Sequence, residues 1–201
     1  MVSLYYILLP LAFLLSDNQH KVYYTIEEGS KVTLDISTNL VKVSCRCLDE
    51  VNFGTTQTAD FTVTGQNVRF SGTFLKLDVN NINCKNKGIN KDLRETLVAD
   101  KYPQILLELQ TILTAHDISK LAVNASKTLD TRSNITIAGK KKPQTIKTTL
   151  SKRSDNTLRL QATKTISLEQ YEIVPKSSLK FVKIHDNATI TVDLIIKVKG
   201  M

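Results

Sequence analysis

Apolar and polar side chains alternate with a period of two along much of this chain. Residues 41–47 place Val41, Val43 and two cysteines on one face, with Lys42, Ser44 and Arg46 on the other. A period of two is the mark of a β-strand, because successive side chains point to opposite faces. The same pattern recurs in 67–79, 104–112, 157–168 and 190–198, and weaker runs lie between them. Turn residues separate the runs, so the pattern predicts about ten strands.

The run from 67 to 79 changes phase. Val68 and Phe70 occupy even positions, whereas Leu75 and Leu77 occupy odd ones. One extra residue near 72–74 would restore a single inward face, which predicts a β-bulge.

One segment, at about 90–98, follows a helical pattern instead. Asn90 is a residue type that caps helices, and Leu93 and Leu97 lie one turn apart on the same face. Pro103 prevents continuation, since the residue before proline is pushed out of the helical region. We expect Leu93 and Leu97 to pack against one end of the sheet structure as a lid.

Ten strands with no internal repeat and no linker predict a single all-β domain, most simply a closed antiparallel barrel of about eight strands. A β-sandwich is the rival fold. The interior of such a barrel either fills with side chains or holds one small ligand. The residues predicted to point inward are Val41, Val43, Ile105, Leu107, Leu109, Ile135, Ile137, Leu160, Ile190, Val192 and Leu194.

The amino terminus predicts export. Residues 2–15 are uncharged and mostly apolar, and a polar stretch follows at 16–19. The run is shorter than the roughly 20 residues that span a bilayer, but it suits a signal peptide, although its start carries no Lys or Arg. We therefore expect a signal peptide over 1–16, a mature domain over 17–201, and a periplasmic or secreted protein.

The charge distribution indicates one candidate surface for contact with a membrane. The 201-residue chain carries a formal net charge of +8, yet its Lys and Arg residues are spread along the sequence, so a nucleic-acid partner is not predicted. The cluster GKKKP at 139–143 is either a solvated hairpin tip or a contact for an anionic membrane surface.

Three cysteines fit an exported protein with one disulfide and one free thiol. Cys45 and Cys47 share a face, so either is able to pair with Cys84. If the strands around 40–48, 58–64 and 67–80 form a meander, Cys47–Cys84 is favoured over Cys45–Cys84. Two alternatives stay open, which are free buried thiols and a soft-metal site at the Cys-x-Cys pair.

Sequence patterns of enzymes are not found. The chain lacks the G-x-S-x-G elbow, the glycine-rich phosphate and dinucleotide patterns, and H-E-x-x-H. We predict no catalytic residues, no metal site and no cofactor other than a fatty lipid bound in the apolar interior.

Residues 76–109, KLDVNNINCKNKGINKDLRETLVADKYPQILLEL, resemble the most recognisable block of the YceI-like, polyisoprenoid-binding family. That block is a long strand, a small polar turn, a short helix and a Tyr-Pro step that starts the next strand. Residues 134–150 and 166–200 resemble the elements that follow. The segment STNLVKVSCRC at 37–47 lacks the His and Trp of many members, and its Cys-x-Cys is similar to variants of Bacteroidetes-type bacteria.

The resemblance implies a lipocalin-like barrel in the periplasm that holds a long isoprenoid or similar amphiphile, as a homodimer and without catalysis. The leading expectation is therefore non-enzymatic binding, sequestration or transport of an apolar lipid in the bacterial envelope. The alternative is a ligand-free structural or interaction protein of the periplasm.

Overall fold

The computed structural model describes residues 19–47, 53–114, 118 and 120–199. The expected signal peptide lies outside the described residues. The described part contains ten β-strands and one α-helix: β1 (Gln19–Ile26), β2 (Lys31–Thr38), β3 (Lys42–Arg46), β4 (Thr56–Thr64), β5 (Asn67–Asp78), α1 (Lys87–Thr96), β6 (Gln104–Ile112), β7 (Ser126–Ile137), β8 (Lys140–Ser154), β9 (Thr157–Ser167) and β10 (Ile184–Lys199).

Eight of the strands close into an antiparallel barrel in the order β1-β4-β5-β6-β7-β8-β9-β10, and β10 pairs with β1 to complete the ring. The closing contact runs from Tyr23, opposite Lys199, to Ile26, opposite Ile196. Closure leaves these strands without a free edge. The predicted barrel of about eight strands is confirmed, and the fold is lipocalin-like rather than a sandwich.

The sixteen-residue strand β10 joins the barrel to the other two strands. Its first part, from Ile184 to Asp193, pairs with β2, and its last part pairs with β1. β3 then pairs with β2 from Thr33, opposite Arg46, to Ser37, opposite Lys42. β2 and β3 therefore extend the sheet beyond the ring.

The predicted bulge in β5 is confirmed. The pairing of β5 with β6 shifts register between Arg69 and Thr73, and Gly72 within the shift has φ +67°. Glycine adopts this left-handed conformation without the strain that a side chain would bring. Beyond the shift Leu75 faces Leu107, and before it Val68 faces Ile112, so both halves of β5 share one inward face.

The helix is confirmed, but its predicted cap is wrong. Asn86 precedes α1, and its side-chain oxygen accepts from the backbone N–H groups of Gly88 (2.9 Å) and Ile89 (3.1 Å). Asn90 lies inside the first turn, where its side-chain oxygen accepts from the Cys84 N–H at 2.8 Å. Asn86 therefore caps the start of the helix, while Asn90 holds the chain that leads into it.

Leu93 of α1 and Leu97 just after it are buried against one end of the barrel, as predicted. We call this the plugged end; it also holds the turn after β5 (79–81), the segment 168–173 and the hairpin turn between β7 and β8. The opposite end, with the turns at 65–66 and 155–156, is called the far end. The main hydrophobic core lies toward the plugged end.

Candidate functional site

The inner face of the barrel is assigned by strand register. Ile135 is almost fully buried, and its cross-strand partner Leu107 must share its face, as must Leu75 opposite Leu107. On the other side of the ring, Leu194 is paired with Leu160, and Val192 with Ala162. These pairs put a continuous belt of aliphatic side chains inside the ring.

Side chains fill the inner space near the plugged end. Leu93 and Leu97 pack there with Val79, Ile82 and Tyr171, all of them buried. The inner-face residues Ile105, Ile135, Ile137, Ile190, Val192 and Leu194 belong to the same cluster. This half of the barrel is a solid core.

The inner face above this core remains accessible. Leu75, Leu107 and Leu160 lie in the middle of their strands and point inward, yet each is only half-buried and rests on the edge of the core. From 106 to 112, and again from 157 to 162, inner and outer residues are equally half-buried. In a strand that backs onto a filled core the inner residues would be buried, so the walls formed by β6 and β9 are accessible toward the far end. On the β7–β8 wall, by contrast, the inner residues Leu129 and Leu150 are buried.

The predicted inward residues divide into three groups. Six belong to the solid core named above, whereas Val43, Leu107, Leu109 and Leu160 are half-buried. Val41 is 61% exposed, so its predicted inward position is wrong. It precedes β3 and lies in the turn after β2, where the Thr38 N–H donates to the Val41 carbonyl at 2.9 Å.

Several residues of the accessible half were absent from the predicted site. They are Tyr24, Val68, Leu75, Ile146, Leu158, Ala162, Ile196 and Val198, all half-buried and on the inner face by register. The alternation of their own strands could have found them. Four of them share a face with predicted residues of β9 and β10, and the other four alternate within strands for which no site residue was predicted.

Lysines as well as hydroxyls and amides lie on the inner face. The register places four of them there, each opposite an inward aliphatic residue: Lys127, Lys142, Lys152 and Lys164. The Thr131 hydroxyl donates to the Ile146 carbonyl at 2.9 Å and lies 3.0 Å from the Thr148 hydroxyl. Gln144 reaches the Tyr171 hydroxyl at 3.4 Å. Thr73, opposite the inward Leu109, has a buried hydroxyl oxygen without a hydrogen-bond partner among the described residues.

Carboxylates of the strands face outward. Asp193 accepts from Arg159 at 2.6 and 2.7 Å, and these hydrogen bonds hold the pKa of its carboxyl below the ordinary value. Glu108 is paired with Lys141 at 2.7 Å, which likewise lowers the pKa of Glu108. Both pairs lie on the outside of the barrel: the first joins the neighbouring strands β9 and β10, and the second connects β6 to β8 across β7.

The lysines of the 139–143 turn are partly neutralised. Lys140 contacts Glu172 at 2.6 Å, in addition to the Lys141–Glu108 pair, and Lys142 is half-buried. Gly139 of this turn lies so close to Tyr102 that a Cβ would come within 2.5 Å of the ring. The tip is therefore packed against the Tyr-Pro step instead of standing free as a basic cluster.

The disulfide joins Cys45 to Cys84, so the favoured Cys47–Cys84 pairing is wrong and the alternative is right. An antiparallel bridge pairs Arg46 with Asn83, which sets Cys45 directly opposite Cys84. Cys47 is a buried free thiol, and burial raises its pKa to about 12. Since Cys45 is oxidised, the Cys-x-Cys pair does not offer two thiolates to a metal.

Comparisons with known proteins agree with this architecture. The model of the YceI-like domain matches residues 24–196. No curated protein sequence matches the chain. In the described residues, no helix is long and apolar enough to cross a membrane.

Solved structures share the fold at low identity. A polyisoprenoid binding domain from Saccharophagus degradans, implicated in plant cell wall breakdown, has a TM-score of 0.66 at 13% identity, covering 88% of this chain and 98% of that one. BcnA of Burkholderia cenocepacia has a TM-score of 0.56 at 14% identity, covering 83% and 95%. The Campylobacter jejuni YceI protein has a TM-score of 0.50 at 12% identity, covering 71% and 81%.

The family model covers most of the chain, and the solved structures share its overall fold. The chain belongs to the YceI-like family.

Proposed function

We propose that this protein holds one long apolar lipid, of the isoprenoid type, in the accessible half of its barrel, and that it does so without catalysis. The observation that carries the proposal is the partial exposure of Leu75, Leu107 and Leu160, which point inward from the middle of their strands. The family match and the polyisoprenoid binding described for the S. degradans relative support the same class of ligand.

The lining suits a hydrocarbon chain. Aliphatic side chains offer contact without directed polar groups, and each methylene removed from water gains about 0.8 kcal/mol. The solid core and α1 close the plugged end, so the lipid would enter from the far end.

A binding role is favoured over acid–base chemistry by where the carboxylates lie. Asp35, Asp60, Glu108, Asp130 and Asp193 all pair across strands with outward-facing residues. General acid–base catalysis needs such groups within reach of the bound molecule. The inner wall offers aliphatic carbons, hydroxyls and the lysines that the register places there.

We place the protein in the bacterial envelope on the basis of the apolar leader at 1–16. An intact mass of the protein from its source that begins near Asp17, together with recovery in the periplasmic fraction, is the expected result. Recovery of the full-length chain in the cytoplasm would contradict this location.

The interior is tested with Ala162→Phe. Ala162 is half-buried on the inner face, and Thr163 beside it is exposed on the outer face, so Thr163→Phe is the matched control. If the interior is accessible, the new ring enters the space that the lipid occupies and stability changes little. In a filled interior the same ring overpacks the core, which costs about 1–3 kcal/mol.

Both variants and the wild-type protein are purified from the native envelope and analysed by native mass spectrometry and lipid extraction. We expect a long-chain lipid on the wild-type protein and on Thr163→Phe, and its loss from a folded Ala162→Phe. Protein without lipid, combined with unfolding of Ala162→Phe, would refute the proposal and support a solid-cored interaction protein.

A further inference from the structure

Two turns at the plugged end present large apolar side chains to solvent. Leu40 and Val41, in the turn after β2, are 59% and 61% exposed. In the segment 174–183, which precedes β10, Val174, Leu179 and Phe181 are 78%, 53% and 67% exposed. Turn tips usually carry small or polar residues, so bulky apolar side chains there need an explanation.

Hydrogen bonds hold the two turns side by side. Asn39 donates from its side chain to the Phe181 carbonyl at 3.2 Å, and its side-chain oxygen accepts from the Lys183 N–H at 2.8 Å. The Asn39 N–H also donates to the Lys183 carbonyl at 2.9 Å. The apolar side chains of the two turns are therefore held near one another, and we call them the tip patch (Leu40, Val41, Leu179 and Phe181).

The segment is also fixed to α1. The Lys176 N–H donates to the Thr96 hydroxyl at 3.0 Å, and the Ser178 N–H and hydroxyl donate to Asp92 at 2.9 and 3.1 Å. The Val182 N–H donates to the Leu179 carbonyl at 2.9 Å, which closes the turn that exposes Phe181. The patch is held in place before any partner arrives, which lowers the cost of binding.

Positive charge surrounds the tip patch. Residues 173–185 contain Lys176, Lys180 and Lys183 and no Asp or Glu. In the described part of the chain, none of these three ammonium groups is in an ion pair. Asp92 lies against the segment, and Lys42 on the neighbouring turn is paired with Asp35 at 3.1 Å. The net charge of the surface stays positive.

We infer that the tip patch docks the protein onto an anionic lipid bilayer surface, with Leu179 and Phe181 entering the headgroup region and the three lysines contacting acidic headgroups. Apolar insertion combined with basic residues is how peripheral proteins bind such membranes. A second copy of the chain fits less well, because a two-fold contact through this patch would bring the lysines of both copies together. The inference goes beyond lipid storage in the barrel and stands whether or not the interior is occupied.

The chain contains no Trp, so Phe181→Trp provides a single reporter. On vesicles of equal parts phosphatidylcholine and phosphatidylglycerol we expect a blue shift of its emission that is absent on phosphatidylcholine alone and weakened by salt. Tyr23→Trp, at an exposed position on the barrel wall, is the control and should not shift.

Cosedimentation with the same vesicles tests the charges and the apolar residues separately. Replacing Lys176, Lys180 and Lys183 by Gln should weaken vesicle binding at least tenfold. The control variant replaces the exposed Lys21, Lys147 and Lys197 by Gln, which lowers the net charge equally and should have little effect on binding. The double variant Leu179→Ser, Phe181→Ser should also lose vesicle binding. The control double variant Tyr23→Ser, Val123→Ser should keep it.

Equal binding to neutral and anionic vesicles, or equal losses in both lysine triples, would overturn the inference. So would sedimentation equilibrium that finds a dimer abolished by the Leu179 and Phe181 substitutions. Ala162→Phe should dock normally, which separates membrane docking from storage of a lipid inside the barrel.

Discussion

Reduction of the Cys45–Cys84 disulfide should destabilise this protein strongly. The bond closes a loop with a sequence separation of 39 residues. In the chain-entropy treatment, a closed loop of that size removes about 13 cal/mol/K from the unfolded chain, which is about 4 kcal/mol at 25 °C. Domains of this kind have total stabilities of about 5–15 kcal/mol, so the cross-link carries a large share.

The loss should be concentrated at the plugged end. Cys84 lies between the turn after β5 and α1, and the adjacent Arg46–Asn83 bridge joins the same segment to β3. Without the cross-link, the chain that carries Leu93 and Leu97 is held to β3 by this bridge and by packing. We therefore expect amides of α1 to exchange faster with solvent on reduction than amides of the β7–β8 hairpin.

The measurement is a urea titration of the oxidised and reduced forms of a Cys47→Ala variant, which prevents thiol exchange. With an m-value of about 2 kcal/mol/M, the midpoint should fall by about 2 M urea on reduction. A Cys45→Ala, Cys84→Ala variant should resemble the reduced form and should not respond to reductant. A midpoint that does not move, or peptide mapping that finds Cys47 joined to Cys84, would refute the reasoning.

Three further predictions follow from buried groups and pairs. The Cys47 thiol has its pKa raised to about 12, so iodoacetamide at pH 8 should leave it unlabelled in the folded protein and label it fully in urea. Labelling of the native protein would contradict the burial of Cys47. Leu93→Asp combined with Leu97→Asp should lower the free energy of unfolding by at least about 4 kcal/mol and should speed lipid release. In the same urea titration, Lys91→Asp at an exposed position of this helix should change the free energy of unfolding little. The pKa of Asp193 is lowered, so its carboxylate stabilises the fold at neutral pH, and that stabilisation is lost as the pH falls below the ordinary value of 3.8. Asp193→Asn should therefore make acid unfolding less steep in that range. An unchanged acid-unfolding profile would count against the pair with Arg159.

The barrel could be predicted from sequence because alternation is a local property. Each run that alternates must expose one face and bury the other, and the bulge at Gly72 follows from the phase change between Phe70 and Leu75. The alternation fails at Val41 because strand pairing ends at Lys42 and the Thr38–Val41 turn takes over. The ends of a strand depend on hydrogen bonds to other segments, and a local sequence pattern gives no information about those bonds.

The disulfide could not be predicted for the same reason. Cys45 and Cys47 share a face, so periodicity does not distinguish them. The expected meander of β3 with β4 and β5 is wrong, because β3 pairs with β2 and only Arg46 bridges to Asn83. That single long-range register puts Cys84 opposite Cys45, and it depends on how the segment before α1 packs.

Whether an inward residue lines a core or a cavity is decided by α1. Ile105 and Leu107 are successive inward residues of β6, yet Ile105 is buried in the core while Leu107 is half-buried above it. Nothing in their own strand separates them; Ile105 belongs to the buried cluster that contains Leu93 and Leu97, whereas Leu107 only packs against that cluster. The extent of the cluster around Leu93 and Leu97 therefore sets the length of apolar wall left for a lipid. A family member with a bulkier residue at either position should hold a shorter chain, and one with a smaller residue a longer one.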